Sequence, residues 1–278
     1  MSLLETIILG IIQGIGEFLP VSSSAHLILI PFLFNFSLSM STKAKLAFDV
    51  ALHFGTLISV IVVFWRDWLN LFKGAFNKVF KHKNSFENKM FWYLVCATIP
   101  GALIGYLFEG VIEKVLRKNI LLIALCLAIV GVLIYVGDMW ASKHYKKETT
   151  YENMTFKQTF LIGLSQALAV IPGFSRSGIT ILTGRLFGVS REAVAKFTFL
   201  LSTPIIFGAT VLNVKDLMFT KEVILGIAIA SITGIICIKF LLNYVKKHDF
   251  SIFAIYRVVL ALFVIIKLLI SELVSMPI

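Results

Sequence analysis

The sequence has 278 residues, of which 58% are hydrophobic, with a mean hydropathy of +0.92 and a formal net charge of +11. Soluble domains are nearer ~45–50% apolar, so this composition excludes an ordinary soluble protein and indicates a polytopic membrane protein. The basic residues lie mostly between apolar runs, where membrane topology explains them better than a nucleic-acid partner does.

The first apolar segment, residues 3–34, is not a simple membrane span. Two glycines and Pro20 interrupt it, and Glu17 and His26 lie in its middle. Such a broken segment can enter a membrane and return to the same side if its tip is buried in protein or lines a wet cavity. We therefore predict a re-entrant helix hairpin. No basic region precedes the apolar stretch, so we interpret it as retained structure and not as a signal peptide.

Six later runs have the length of membrane helices and not of outer-membrane barrel strands. They cover residues 46–65, 90–109, 120–140, 194–212, 223–242 and 252–271. Between the third and the fourth run lies a second broken segment, residues 159–187. It is interrupted at Pro172, Gly173 and Gly178 and carries Arg176, and we predict a second re-entrant hairpin there.

This order of elements predicts an all-α polytopic membrane protein with an inverted-topology repeat. Each half is one re-entrant helix hairpin followed by three transmembrane helices, and an odd number of spans places the second half on the opposite face. The halves are residues 1–140 and 159–278, and a cytoplasmic loop over 141–158 joins them. The echo of Gly10-x-x-Gln13 in Gly163-x-x-Gln166 agrees with a repeat.

The distribution of lysine and arginine predicts the orientation. The loops on one side, with Arg185 and Arg191 among their cations, carry about twice as many of these residues as the loops on the other side. That side is predicted to be cytoplasmic, with both termini and the first hairpin facing outward. The tips of two hairpins from opposite faces can meet near the midplane, where inverted-repeat proteins place their sites.

The second broken segment contains the most informative residues. An arginine at the bilayer centre costs roughly 2.5–3.5 kcal/mol on insertion scales, so Arg176 is a functional-site hypothesis. Gly173 and Gly178 make the backbone flexible, so successive N–H groups can turn toward one point. Together with serine hydroxyls and a guanidinium, they favour a phosphate-type oxyanion as the ligand. The alternative is an arginine that snorkels beside an ordinary kink.

Gln13 and Glu17 are four residues apart and share a face of the first helix. A carboxylate in a desolvated site can act as a general base or hold a divalent cation, and the amide can orient a water. The alternative is a hydrogen-bonded pair that only joins helices. Ser22, Ser23 and Ser24 follow, and an N-cap role is expected for two of the three.

His26 lies close enough in sequence to reach the space of Ser22 or Ser23. A lone histidine in an apolar run is more often structural than catalytic. The combination of an acid, an imidazole, hydroxyls and an arginine nevertheless fits phosphoryl chemistry.

Other polar residues in the spans support weaker predictions. Asp49 and His53 are four residues apart in the first span and either line a cavity or make interhelical contacts. Arg257 and Lys239 lie near predicted helix ends and are expected to snorkel. The three cysteines are expected to be small buried hydrophobic residues without a disulfide or metal role.

Two segments resemble a known family. The run Q-G-I-G-E-F-L-P-V-S-S-S-A-H-L from Gln13 and the run P-G-F-S-R-S-G-I-T from Pro172 are similar to the (E/Q)-x-x-x-E and P-G-x-S-R-S-G-x-T boxes of the undecaprenyl-diphosphate phosphatases called BacA or UppP. The segment from Phe197 to Pro204 and the hydrophobic layout are also similar, so the resemblance covers essentially the whole chain.

The resemblance implies an enzyme of the bacterial cytoplasmic membrane that converts undecaprenyl diphosphate to the monophosphate carrier used in cell-wall synthesis and that confers bacitracin resistance. Its site is expected to open to the outer face. The boxes and the segment between them map to Gln13, Glu17, Ser22, Ser23, His26, Ser175, Arg176, Ser177, Gly178 and Thr180. Mg²⁺ or Ca²⁺ at Glu17 is the expected cofactor, and glutamine at position 13 weakens any mechanism that needs two carboxylates on one metal.

The hypothesis for the mechanism is that Arg176, the serines and backbone amides bind the diphosphate while Glu17 positions it. Either His26 or Ser23 attacks the terminal phosphorus, or His26 activates a water, and the sequence does not choose among these routes. The isoprenoid would lie against lipid-exposed helices, without an enclosed pocket. The alternative function is a transporter or flippase of phosphorylated polyprenyl lipid, and a homodimer is compatible with the sequence.

Overall fold

The structure is a computed structural model that describes residues 2–36, 42–216 and 220–275. These residues form eleven α-helices and four short 3₁₀ helices. The α-helices are α1 (Leu3–Phe18), α2 (Ser23–Phe34), α3 (Thr42–Val63), α4 (Trp65–Lys81), α5 (Phe86–Lys114), α6 (Ile120–His144), α7 (Phe156–Ser165), α8 (Arg176–Leu186), α9 (Arg191–Leu212), α10 (Lys221–Tyr244) and α11 (Ser251–Ser275).

Six of these helices are long and apolar enough to cross a membrane. The candidate spans are Ala44–Val63, Phe86–Phe108, Ile120–His144, Arg191–Leu212, Lys221–Tyr244 and Ser251–Ser271. They coincide with the six predicted runs, so the prediction of an all-α polytopic membrane protein is confirmed. Several of them extend beyond the predicted ends because charged and polar residues continue the helix past the apolar run.

Both broken segments are helix–break–helix units, as predicted. In the first, α1 ends at Phe18 and α2 begins at Ser23. In the second, α7 continues as a 3₁₀ helix over Gln166–Val170, and α8 begins only at Arg176. The two helices of each unit pack against each other. Pro20 and Pro172 lie in the breaks, where the missing N–H costs no helical hydrogen bond.

Residues 66–89 lie between the first two predicted runs and were therefore counted with the loops, but most of them form the helix α4. It is amphipathic, with Leu71 buried and Phe72, Phe76 and Phe80 exposed. Gly74 permits its close packing on α5, since a Cβ there would lie 2.7 Å from the backbone nitrogen of Asn88. An exposed aromatic face among lysines is typical of a helix that lies in the membrane interface.

The spans pack through small residues, as membrane helices commonly do. The helices α1 and α3 both pack on α10, and α6 packs on α11. A Cβ at Gly14 of α1 would lie 2.9 Å from the carbonyl oxygen of Ala230, and one at Gly55 of α3 would lie 2.6 Å from that of Ile227. These glycines therefore let α1 and α3 approach α10 closely.

A buried ionic cluster joins the end of α6 to α8 and α9. Asp138 accepts hydrogen bonds from Arg185 at 2.6 Å and from Arg191 at 2.9 Å. Arg185 also pairs with Glu148 at 2.7 Å and donates to Ser142, and it is only 1% exposed. The assignment of Arg185 as a loop cation was wrong, because the side chain points into the protein from the last turn of α8 and is neutralised there.

Candidate active site

The two breaks have the same unusual backbone conformation. Ser22 has φ 78° and ψ 91° and is the N-cap of α2, while Ser175 has φ 68° and ψ 119° and is the N-cap of α8. The Ser22 hydroxyl accepts from the N–H of Ala25, and that of Ser175 accepts from the N–H of Gly178. A positive φ is uncommon for serine, so the hydroxyl of each cap compensates for a backbone that would otherwise favour glycine.

Arg257 of α11 connects both breaks. Its guanidinium donates to the carbonyl oxygens of Pro20 in the first break at 3.0 Å and Gly173 in the second at 2.6 Å, with a longer bond to Phe174. It also donates to Leu127 of α6 at 2.9 Å. The expectation that Arg257 snorkels is therefore wrong, since it is 0% exposed and donates to buried carbonyls, those of Pro20 and Gly173 lying in the breaks.

The acidic and cationic side chains of the two breaks meet. Glu17 is 6% exposed and pairs with Arg176 across the junction. The same carboxylate accepts from the Ser23 hydroxyl at 2.7 Å and from the Gln13 amide at 3.0 Å, and Nε2 of His53 lies 3.4 Å from it. The predicted proximity of Glu17 and Arg176 is confirmed, and Gln13 and Glu17 share a helix face as expected.

A polar cavity of about 240 Å³ lies at this junction. Its polar lining consists of Glu17, Ser22, Ser23, Ser24, His53, Ser175, Arg176 and Ser177. Within the described residues, Nη1 of Arg176 is buried and has no hydrogen-bond partner. The N-termini of α2 and α8 both begin at this cavity, and helix N-termini favour anions. The cavity is therefore lined by a guanidinium side chain and two positive helix ends, which together suit an oxyanion.

Hydroxyl groups connect the two breaks beside the cavity. The Ser177 hydroxyl donates to the carbonyl oxygen of Leu19 at 3.0 Å, so it links the second break to the first. The oxygens of Ser175 and Ser177 are 3.1 Å apart, and those of Ser22 and Ser24 are 3.4 Å apart. Close packing of α1 on α2 depends on Gly16, because a Cβ there would lie 2.7 Å from Cα of Ser23.

His26 lies outside this cavity. Its Nδ1 is 2.7 Å from the carbonyl oxygen of Ser22, which can only accept, so Nδ1 carries a proton. Its Nε2 is 2.7 Å from the hydroxyl of Tyr256. Both ring nitrogens therefore have partners, and neither faces Glu17. The role of nucleophile or base stays a prediction that this arrangement does not favour.

Gly178 and Thr180 also lie away from the cavity lining. The N–H of Gly178 is used in the cap on Ser175. The Thr180 hydroxyl is fully buried, donates to the carbonyl oxygen of Arg176 at 2.7 Å and accepts from Thr198 of α9 at 2.9 Å. Substrate contacts of Gly178 and Thr180 stay predictions. These hydrogen bonds stabilise the N-terminal turns of α8.

His53 is the site residue that sequence reasoning left open. Its Nδ1 donates to the carbonyl oxygen of Asp49 at 2.8 Å, and this bond orients Nε2 toward Glu17. Asp49 itself pairs with Arg117, which is an interhelical contact and not part of the cavity. The sequence signal for His53 was an imidazole in the middle of an apolar run. The sequence could not show its partner, because Glu17 belongs to another helix.

The residues of the cavity provide limited ligands for a divalent cation. The described residues contain no group of three or more His, Cys, Asp or Glu side chains that could hold a metal. Glu17 is the carboxylate that lines the cavity, and the amide oxygen of Gln13 beside it is buried without a partner. The Gln13 amide faces Glu17 with its nitrogen and does not line the cavity. One carboxylate fits Mg²⁺, which commonly takes its remaining ligands from water and substrate phosphates.

Comparison with known proteins agrees with this geometry. The family model described as Bacitracin resistance protein BacA matches residues 6–263. An undecaprenyl-diphosphatase of Desulforudis audaxviator is 45% identical over 269 residues, which are 96% of this chain and 98% of the relative. Undecaprenyl-diphosphatases of Pelotomaculum thermopropionicum and Caldicellulosiruptor bescii are 45% and 46% identical and cover 96% and 94% of this chain and 97% and 96% of their own lengths.

The family match includes every residue that lines the cavity, and the relatives extend over nearly the whole chain. The resemblance of the two polar boxes is thus part of a similarity that also covers the helices holding them. This chain belongs to the BacA family.

Proposed function

We propose that this chain is an integral membrane phosphatase that hydrolyses undecaprenyl diphosphate to undecaprenyl phosphate and inorganic phosphate. The relatives that carry the name undecaprenyl-diphosphatase support this activity over 96% of the chain. The observation that carries the proposal is the pair of Arg176 and Glu17, which both line a polar cavity of about 240 Å³, with Nη1 of Arg176 buried and without a hydrogen-bond partner. A buried guanidinium with an unused N–H is suited to a phosphate oxygen.

In this proposal Arg176 and the N-termini of α2 and α8 bind the diphosphate and stabilise the charge that develops on its oxygens. Ser23 is the preferred nucleophile because its hydroxyl lines the cavity and already donates to the Glu17 carboxylate at 2.7 Å. Glu17 takes the Ser23 proton as Oγ bonds to the terminal phosphorus. The bond from that phosphorus to the bridging oxygen breaks, and undecaprenyl phosphate leaves with its oxygen.

Water then hydrolyses the phosphoserine, and the proton returns from Glu17 to Ser23. Brief reaction of the purified enzyme with substrate labelled in the terminal phosphate, followed by acid quench, should leave label on Ser23. Ser23→Ala should abolish both label and turnover. Turnover by Ser23→Ala near the wild-type rate would instead assign the attack to a water activated by Glu17, and label on His26 would restore the imidazole route.

We propose that the expected Mg²⁺ or Ca²⁺ is held by Glu17, which lines the cavity, and by the diphosphate itself. When bound, such an ion supplies charge neutralisation of the phosphate oxygens. Glu17→Gln should weaken cation binding measured by calorimetry in the presence of a non-hydrolysable diphosphonate. Unchanged cation affinity would remove Glu17 from this role. The homodimer stays a prediction.

We also propose the inverted repeat, with the two broken segments as equivalent re-entrant units. The packing supports it: α1 and α3 pack on α10, while their counterparts α7 and α9 pack on α5. The counterparts α6 and α11 pack on each other, as elements near a two-fold axis do. The two positive-φ cap serines occupy equivalent places in this arrangement.

The orientation in the bacterial cytoplasmic membrane, with the site open to the outer face, is part of the same proposal. In a variant without the native cysteines, Leu4→Cys and Asn35→Cys should react with an impermeant maleimide from outside intact cells. Lys146→Cys should react only after permeabilisation. Opposite accessibility of positions 4 and 35 would make the first segment a full span and exclude the re-entrant arrangement.

A transporter or flippase of phosphorylated polyprenyl lipid is the second candidate, because broken helices that meet at a polar site are a transporter architecture. Phosphate release separates the two. Purified protein in detergent should release inorganic phosphate from undecaprenyl diphosphate with multiple turnovers. Binding of the lipid without phosphate release would support the transporter and contradict the phosphatase.

A further inference from the structure

A groove between α5 and α9 adjoins the polar cavity. It has a volume of about 320 Å³ and is lined by Gly101, Ala102, Gly105, Tyr106, Ile112, Pro204, Ile205, Gly208, Ala209, Leu212 and Asn213. Ile205 and Ala209 line both the groove and the polar cavity, so the two spaces share a wall. The groove runs from this wall toward the α9 end at Leu212.

The groove contains space that its glycines keep open. A Cβ added to Gly105 of α5 or Gly208 of α9 would meet no atom within 4 Å. Gly163 of α7 shows the contrasting case, since a Cβ there would lie 2.3 Å from the carbonyl oxygen of Ala97. Gly105 and Gly208 therefore do not serve close packing between the described helices, and a larger side chain at either position would fill the groove.

The chemistry of the lining fits a hydrocarbon. Among the side chains that the structure describes, none that lines the groove is charged, and the polar groups of the lining are Tyr106 and Asn213 near the outer end. Tyr106 is 66% exposed and Leu212 is 69% exposed, so the groove is open along its side to the surrounding lipid. A branched apolar chain can enter sideways from the membrane, with its polar end at Ile205 next to the cavity.

We propose that this groove binds the first isoprene units of the polyprenyl diphosphate. The proposal rests on the proposed function, because the diphosphate in the cavity places the start of its chain at the shared wall. A volume of about 320 Å³ is at the lower end of small-molecule sites, which span ~300–1,000 Å³. It holds the first few units, while the rest of the chain stays in the bilayer. The expectation of a tail without an enclosed pocket is thereby refined to a tail in an open groove.

The other candidate occupant is a second copy of the chain, because Gly101-x-x-x-Gly105 on α5 has the spacing of a helix-dimer motif. The structure favours the lipid. Gly101 is already packed within the chain, since a Cβ there would lie 2.8 Å from Gln166 Cβ. One glycine of the pair is thus covered, and the open space continues to the cavity.

Leucine at either open glycine tests the proposal. Gly105→Leu and Gly208→Leu should each raise KM for undecaprenyl diphosphate about tenfold, which corresponds to about 1.4 kcal/mol, while kcat stays within about twofold. Gly110→Leu is the matched control, because a Cβ at Gly110 also meets nothing within 4 Å but Gly110 does not line the groove. KM values equal to that of the control would overturn the proposal.

A binding experiment separates this proposal from the proposed activity. A radiolabelled polyprenyl diphosphate with a diazirine on its first isoprene unit should crosslink to the peptides that contain Gly105 and Gly208, whether or not phosphate is released. Both leucine variants should lose this crosslink and Gly110→Leu should keep it. Crosslinking to other peptides would show that the chain does not bind in this groove. Leucine variants that keep the crosslink but change from dimer to monomer would assign the groove to a second copy of the chain.

Discussion

Replacement of Arg257 by methionine removes a side chain that hydrogen bonds to the backbone of both breaks. Three short bonds are lost, to Leu127, Pro20 and Gly173, over 2.6–3.0 Å. Each carbonyl left without a partner costs about 1–3 kcal/mol. Removal of the buried charge offsets several kcal/mol of this loss. We therefore expect Arg257→Met to lower the free energy of unfolding by about 2–4 kcal/mol.

The effect on turnover should be larger than the effect on stability suggests. Arg257 fixes Pro20 and Gly173, each two residues before the cap serine of its break, so its loss frees the junction at which Glu17 meets Arg176. Catalytic sites lose about 10²-fold in rate from displacements of about 1 Å. We expect kcat for phosphate release to fall by about that factor, with a smaller change in KM. Arg257→Lys should lie between methionine and wild type in both measurements.

Lys267→Met is the matched control for Arg257→Met. Lys267 is a second cation of α11 that donates to backbone carbonyls, those of Phe32 and Leu33, but it caps the end of α2 and not the breaks. Thermal unfolding in detergent and phosphate release should be measured for both variants. The reasoning would be refuted if Arg257→Met retained wild-type kcat, or if Lys267→Met lowered kcat as much as Arg257→Met.

The remaining predictions concern the junction and the ionic cluster. Glu17→Gln and Arg176→Lys should each lower kcat/KM by about 10²–10³-fold without preventing membrane insertion. If the double variant lost kcat/KM by the product of the two single losses, the pair would not act together. Ser175→Gly should destabilise less than Ser175→Ala in thermal unfolding, because glycine relieves the positive φ although both lose the cap; the reverse order would contradict the cap argument. Asp138→Asn should lower the unfolding temperature, because Arg191 loses its ion pair with Asp138 and the buried Arg185 keeps only the one with Glu148. A kcat near the wild-type value would agree with a structural role of this cluster, and a large loss of kcat would contradict it.

The spans and the breaks could be predicted from sequence because their signals are local. A run of about 20 apolar residues must be helical in lipid. Pro20 and Pro172 interrupt a helix because proline lacks the backbone N–H and its ring clashes with the preceding turn. The pairing of Glu17 with Arg176 could also be predicted, because two ionisable side chains in apolar segments are much less costly together than apart.

Arg257 and α4 could not be assigned correctly, for two different reasons. The carbonyls that bind Arg257 come from three distant segments, so the sequence around it shows only a cation in an apolar helix. The lysines of α4 lower its mean hydropathy, so a window that averages over both faces hides the exposed row of Phe72, Phe76 and Phe80. Its helical period appears only when the faces are separated.

His26 and His53 show the limit for site residues. His26 follows the three serines closely in sequence, but on α2 its ring points to the carbonyl oxygen of Ser22 and the hydroxyl of Tyr256. His53 is 36 residues from Glu17 in the chain, and only the packing of α3 brings it to the carboxylate. Proximity in sequence therefore brought His26 to Ser22 but not into the cavity lining, because a helix separates neighbours onto different faces.

The position of Arg257 has a consequence for how the protein is made. Both breaks emerge from the ribosome long before α11, the most C-terminal helix of the described chain. Until that helix is inserted, the carbonyls of Pro20 and Gly173 lack their common donor. A nascent chain can thus hold most of its spans in the bilayer while the junction of Glu17 and Arg176 is still unassembled. Premature termination ahead of α11 should therefore yield a product that is inserted but lacks this junction.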